Sequence, residues 1–326
     1  MSKRIELTKT LGYGALILFL FLIPLITEEP YTLHIFIMIG INIILASSLR
    51  LILNSGQLSL AHGGMMAIGA YTSALLVTKL GISSWTALVL SGAASSSLAF
   101  FVGFPFVRLK GIYFAIITIF LGQIIILTGE QWESLTGGSV GILNIPRPDP
   151  IVIPGLLNMN FGSKMDFYYF ILILTLITLL ILYGLENSRI TLTWRSIQQA
   201  DFLAESVGVH TAKFKVLAFS IGCFFAGLVG GFYSQYVRVV SPRTFDLSFA
   251  IYVMVYMVAG GMGRFSGPIL GAFFLTGFIE LFRVLKEFQP FVFAGALMLI
   301  VFFLPDGLVG LPKRLWKLLN MKLTHA

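Results

Sequence analysis

The sequence predicts an all-α membrane protein, a polytopic bundle of about ten transmembrane helices forming one domain over residues 1–326. Three observations predict it. Of 326 residues, 57% are hydrophobic and only 11% charged, under half the charge of a soluble domain. Apolar runs of membrane-spanning length recur along the chain, and the mean hydropathy is +0.93. Glycine is frequent, with 33 residues, and sits inside those runs, as suits membrane helices better than soluble ones. Runs such as Phe170 to Tyr183 do not alternate polar and apolar residues, so helices rather than barrel strands must satisfy the backbone in lipid.

Ten runs read as spans, in order 11–27, 31–53, 58–78, 85–107, 111–129, 167–184, 215–233, 247–263, 267–285 and 290–304. The third and eighth are rich in small residues rather than leucine. The first follows Ser2, Lys3 and Arg4, yet Glu28, Glu29 and Pro30 come after it in place of a small-residue cleavage site. It therefore reads as an uncleaved helix.

Orientation follows from charge. With the N-terminus inside and the spans alternating, 15 of the 22 basic residues and 5 of the 14 acidic ones fall on the inner side. The inner face then carries +10 and the outer face −2, consistent with the overall +8. The positive-inside rule selects N-in, C-in. Tyr31, Trp85, Tyr168, Tyr169, Tyr233, Tyr236 and Trp316 fall near the interfaces of that topology, where aromatic belts form.

Three segments lie outside the spans. An outer loop of about 130–166 contains Gly, Pro and Asn throughout. The tail 305–326, with Lys313, Arg314, Trp316 and Lys317, reads as a short interfacial helix on anionic headgroups. An inner loop of about 185–214 is amphipathic. Within it Gln198 to Val207 predicts a short helix stopped by Gly208. Phe202, Leu203, Ser206 and Val207 form one flank of that helix, and Asp201 and Glu205 another. Periodicity alone fits either an interfacial segment or a knob for a cytosolic partner.

Chemistry is scarce. No lysine follows a glycine, so a phosphate-binding G-x-x-x-x-G-K-[ST] loop is excluded. One cysteine, Cys223, excludes an intrachain disulfide framework and a multi-cysteine metal site. Of the acids only Glu280 lies within a span. Ion-coupled carriers commonly keep carboxylates at midplane, so the energy for any transport should come from elsewhere. Glu280 either touches substrate or pairs with Arg283 on the same helix face. His62 sits in a polar entry with Gln57 and Ser59, as a residue of a path or gate or as a partner of a neighbouring helix. It has no metal-ligand partner one turn away. Gly222, Ala226 and Gly230, and separately Gly267 and Gly271, form ridges of small residues that let helices approach closely.

Four stretches, taken in order over about 40–285, carry a resemblance. They are Asn54 to His62 with Ile68 to Tyr71; Lys110 to Thr118; Leu135 to Ile142 with Ile145-Pro146; and Ala204 to Gly208 with Lys215 to Phe219, Gly260 to Gly263 and Gly267-Pro268. Together they resemble the membrane subunits of ABC-type importers, specifically the LivM-type permeases of branched-chain amino-acid uptake. The chain departs from that pattern at Gln198, Gln199 and Ala200, where relatives often carry Arg and acidic residues.

The resemblance implies the ABC importer permease fold and a multi-pass protein of the inner membrane. It implies a second, LivH-like permease, two cytosolic LivG/LivF-like ATPases and a periplasmic substrate-binding protein. The chain itself would be no enzyme and bind no cofactor or metal, with ATP and Mg held by the partner ATPases, and nucleic acid is not expected. Arg195, Asp201, Ala204, Glu205 and Gly208 are implied as the ATPase-coupling loop. Gln57, Ser59 and His62, with Thr136, Gly137 and Gly138 outside, are expected along the translocation path or gate. Leucine, isoleucine and valine are the expected substrates. Urea, short amides or another amino acid remain alternatives, as does a stand-alone ion-coupled carrier.

Overall fold

The computed structural model describes residues 20–24, 29–109, 111–153, 157–283, 288–304 and 306–311. Residues 11–19 and 25–27 of the first predicted span, Lys110, and residues 305 and 312–326 of the basic tail lie outside these residues. Twelve α-helices follow one another among the described residues beyond 29. They are α1 (Pro30–Leu53), α2 (His62–Leu80), α3 (Ser84–Phe106), α4 (Ile112–Gln131), α5 (Glu133–Thr136), α6 (Lys164–Glu186), α7 (Arg189–Gln199), α8 (Asp201–Ser206), α9 (Thr211–Val237), α10 (Leu247–Gly260), α11 (Ser266–Leu281) and α12 (Gln289–Phe303). Five of them, α1, α3, α4, α6 and α9, are long and apolar enough to cross a membrane, at 20–27 residues each. Helix α11 is apolar but has only 16 residues.

The bundle is drawn together by small residues. A Cβ at Gly69 of α2 would overlap the Gly227 carbonyl of α9, and one at Gly230 would overlap the Met66 carbonyl. Gly231 and Gly92 do the same between α9 and α3, against Ser91 and Phe224. Helices α10 and α11 cross at Gly260, Gly267 and Gly271, each facing a backbone carbonyl or amide. Such contact replaces the hydrophobic drive that lipid cannot supply between helices. The ridges read in the sequence at 222–230 and 267–271 are therefore packing surfaces. On the other flank of the bundle, α1 packs on α6 at Gly40 against Ile171. It also reaches α11, where Asn42 donates to the Thr276 hydroxyl at 3.0 Å.

Polar contacts gather at the two opposite ends of the helices. One set joins the end of α1, the segment 54–61, the end of α6, helices α7 and α8, and the turn at 261–265. The other joins the start of α1, the ends of α2 and α4, the segment 132–163 and the stretch 238–246. There Ile142 and Val240 exchange backbone hydrogen bonds at 3.0 Å in each direction. Asp149 accepts from Ser83 Oγ and the Ser84 amide. Helix α6 starts on a Ser163–Asp166 capping box, which satisfies two orphan amides reciprocally.

The structure adds detail to four expectations. The segment 132–163 carries a short two-stranded antiparallel hairpin, β1 (Ile151–Ile153) on β2 (Leu157–Met159), with Val152 opposite Asn158, within a fold that is otherwise helical. The helix foreseen over Gln198 to Val207 is two helices broken at Ala200, whose φ of −157° and ψ of 89° leave the helical region. The break keeps Trp194 and Ile197 buried on one side while Asp201 turns to meet Lys215 at 2.7 Å. Helix α2 begins at His62, leaving Gln57 to Leu60 as irregular backbone at a helix entry. Tyr168, one of the aromatics read near an interface, packs against its neighbours and donates to the Leu20 carbonyl at 2.6 Å.

Candidate functional site

The residues expected to form a coupling loop lie together at one end of the bundle. Helix α7 is fixed from behind: Trp194 is fully buried, and its Nε1 donates to the Phe214 carbonyl of α9 at 2.8 Å. Helix α8 is fixed by charge. Lys215 Nζ of α9, itself buried, contacts Asp201 Oδ2 at 2.7 Å. Glu205 accepts from the Thr211 hydroxyl at 2.6 Å. Ala204 is buried, and its carbonyl accepts from the Val209 amide at 3.1 Å. Gly208 holds φ at +88° with open space around its α-carbon, the left-handed C-terminal conformation glycine adopts without penalty.

The opposite face of α8 is bare. Phe202, Leu203 and Val207 are 77, 64 and 79% exposed. Large apolar side chains clustered outside the spans mark an interaction surface. The predicted division of this helix into an apolar flank and an acidic flank thus appears as one free face and one anchored face.

Arg195 leaves α7 in another direction. Its Nη2 contacts Glu186 Oε1 at 2.8 Å, and that carboxylate also takes both terminal nitrogens of Arg50, at 2.6 and 2.8 Å. Arg50 Nε donates to the Met262 carbonyl at 2.9 Å, and the guanidinium lies 6.0 Å from the centre of the Phe265 ring. Arg50 is 4% exposed and Glu186 13%. A cation this deep persists only with partners that satisfy its donors, and Arg50 has all three sides occupied. Sequence reasoning missed this cluster. Its signal was Arg50 and Glu186 as lone charges closing two apolar runs on the same side.

Gln57, Ser59 and His62 follow Gly56, which packs on α7. Gly56 holds φ at +81°, and its α-carbon faces Gln198, where an added Cβ would come within 3.2 Å of the Gln198 Cα. Gln57 is 3% exposed, and neither its Oε1 nor its Nε2 has a hydrogen-bond partner. Ser59 Oγ accepts from the Ala61 amide at 3.3 Å. His62 is fully buried; Nε2 meets Ser48 Oγ at 3.3 Å, and Nδ1 has no partner. The Leu60 amide bonds to Thr118 Oγ1 of α4 at 3.0 Å, and Gly64 packs on Gly122. This entry therefore rests on α7 below and α4 beside it.

Thr136, Gly137 and Gly138 stand at the other end. The Thr136 hydroxyl serves the turn after α4, lying 2.6 Å from the carbonyls of Gly129 and Trp132. Gly137 and Gly138 have φ of +77° and +64°, and Gly137 faces the Gly141 carbonyl. Glu280 pairs with Arg283 at 3.1 Å and accepts from the Tyr31 hydroxyl. Among the described residues no group of three or more His, Cys, Asp or Glu side chains is placed to hold a metal ion.

The chain is 32% identical over 303 residues to the high-affinity branched-chain amino acid transport system permease protein LivM of Salmonella typhimurium, covering 88% of this chain and 70% of the relative. It is 31% identical to LivM of Escherichia coli K12, with the same coverage of each. It is 25% identical to the LivH permease of Salmonella typhimurium, over 79% of this chain and 87% of that protein. No solved structure matches the chain. Residues 31–304, from the start of α1 to the end of α12, match the family described as branched-chain amino acid transport system, permease component, and the chain belongs to that family.

Proposed function

We propose that this chain is a membrane permease subunit of an ATP-driven ABC importer that carries branched-chain amino acids across the inner membrane. Ten spans in an N-in, C-in topology complete the reading, with the end bearing α7 and α8 in the cytoplasm. The charge asymmetry of +10 against −2 supports that direction. Two cytosolic ATPases hold ATP and Mg and dock on α7–α8. A periplasmic binding protein delivers substrate to the outer segments 132–163 and 238–246. A second, related permease pairs with this one; the likeness to both LivM and LivH of one organism supports such a pair.

The observation that carries the proposal is the asymmetry of α8. Its anchored side is tied to α9 through Asp201 and Glu205, and its free side presents Phe202, Leu203 and Val207. A knob fixed to a spanning helix passes a push from a docked ATPase straight into the bundle. Arg195, Ala204 and Gly208 hold its shape. Gln57, Ser59 and His62, seated on Gln198 through Gly56, form the inner gate, and Thr136, Gly137 and Gly138 shape the outer mouth. An aliphatic amino acid needs polar groups only for its ammonium and carboxylate. Sparse polarity in the spans therefore fits a substrate selected chiefly by its binding protein.

Docking is tested by Phe202→Asp with Val207→Asp. Both side chains are exposed, so the permease should keep its own thermal stability to within about 0.5 kcal/mol. ATPase subunits should no longer co-purify with it, and ATP-dependent leucine uptake should vanish. Retained co-purification with full uptake would refute the role of α8.

A further inference from the structure

The carboxylate of Glu186 has more to do than close α6. It is shared by two cations of different mobility. Arg50 is locked into the bundle: buried, bidentate on Glu186, and bonded through Nε to the Met262 carbonyl in the turn between α10 and α11. Arg195 is carried by the coupling segment and is half exposed. That turn is itself wedged. Gly261 holds φ at +115° against the Asp306 carbonyl, and Arg264 Nη1 reaches the Val309 carbonyl at 3.4 Å. One chain of charge-assisted bonds therefore runs from α7 through Glu186 and Arg50 to the α10–α11 turn and the segment after α12.

The rest of the coupling segment is fastened elsewhere. Trp194, Asp201 and Glu205 all bind α9 or the turn that opens it, and α9 packs into α2 and α3. The segment thus has two attachments, one to each flank of the bundle. The α9 attachment is built from a buried indole, a buried lysine and backbone groups. On the α1 and α6 side, the Thr191 hydroxyl of α7 donates to the Leu185 carbonyl of α6 at 2.7 Å, and Arg195 meets Glu186, whose carboxylate also holds Arg50 of α1.

We propose that Glu186 is a positioning residue for energy coupling: it transmits displacement of the α7–α8 segment to α1 and, through Arg50, to the α10–α11 turn, so that both flanks of the bundle move together. This rests on the importer reading above. Without the link, a push on α7–α8 moves α9 with α2 and α3, and α1 with the α10–α11 turn lags behind. Nucleotide is then spent without a full change of access. The signature is a changed ratio of transport to hydrolysis, which a merely structural defect, lowering the amount of active complex, leaves untouched.

The test uses the full complex of both permeases, both ATPases and binding protein in proteoliposomes, with leucine as the probe. Leucine imported per ATP hydrolysed is measured for the wild type, Glu186→Gln and Arg195→Gln. Glu186→Gln keeps the shape, removes the charge and leaves one acceptor oxygen where the carboxylate has two. Arg195→Gln leaves the Arg50–Glu186 pair intact, and stands as the test if Glu186→Gln fails to assemble. Both ratios should fall about fivefold or more, and Arg195→Lys should recover at least half of the wild-type ratio. An unchanged ratio in Arg195→Gln, whatever its total rate, overturns the proposal. So does an Arg195→Lys ratio no better than that of Arg195→Gln, because charge would then not be the link. If the wild-type complex itself shows no ATP-dependent uptake, the importer reading fails instead.

Discussion

At the scale of single residues, glycine and buried polar atoms divide the work. Gly69 and Gly277 make a controlled pair. The first faces the Gly227 carbonyl of α9, and the second has open space around it. Gly69→Ala forces α2 from α9 and should cost about 1–3 kcal/mol, the usual range for overpacking. Gly277→Ala should be neutral or slightly stabilising, since alanine is the better helix former. Thermal unfolding in detergent separates them. Gln57 offers the opposite contrast. Its amide is buried without a hydrogen bond, a state that costs about 1–3 kcal/mol. Gln57→Leu should therefore leave stability unchanged or raised while lowering uptake severalfold. Lowered stability with normal uptake would make Gln57 a structural residue. The sequence showed Gln57, Ser59 and His62 as a polar entry because polar residues are rare in an apolar chain. It could not show that Gly56 seats them on Gln198, since that contact joins positions 142 residues apart.

At the scale of elements, long apolar helices were the most legible feature and short connected ones the least. The predicted 31–53 and 111–129 correspond to α1 and α4 within two residues, because twenty apolar residues have few other options. The break at Ala200 had no such signal. Alanine favours helix, and tertiary demand overrode it through Trp194 on one side and Asp201–Lys215 on the other. The hairpin at 151–159 was hidden by a loop-like composition. Which elements cross the bilayer is open to cysteine labelling. Cys223 is fully buried, so the natural chain is nearly a silent background. Leu203→Cys in α8 should react with an impermeant maleimide only from the cytoplasmic side. Leu143→Cys, exposed in the outer segment, should react only from the periplasmic side. Labelling of both from one side would break the alternating topology.

For the molecule as a whole, scarcity of charge and placement of charge make one argument. Among the described residues the ion pairs lie at the ends of helices: Arg50–Glu186–Arg195 and Lys215–Asp201 at one, Arg243–Glu130 and Arg283–Glu280 at the other. Between the ends, packing relies on close glycine and alanine contacts, aliphatic side chains and aromatic rings. Such a bundle can rock as packed units, and it holds little with which to couple an ion gradient. The central claim is that partners drive it, and one measurement bears on that most directly. Leucine uptake is followed in proteoliposomes holding this permease, its sister permease and the two ATPases, with binding protein outside and ATP inside. Live ATPases should give accumulation above the external concentration, and a hydrolysis-dead pair should give none. Accumulation with the dead pair, or by this chain alone under a proton or sodium gradient, would contradict the account.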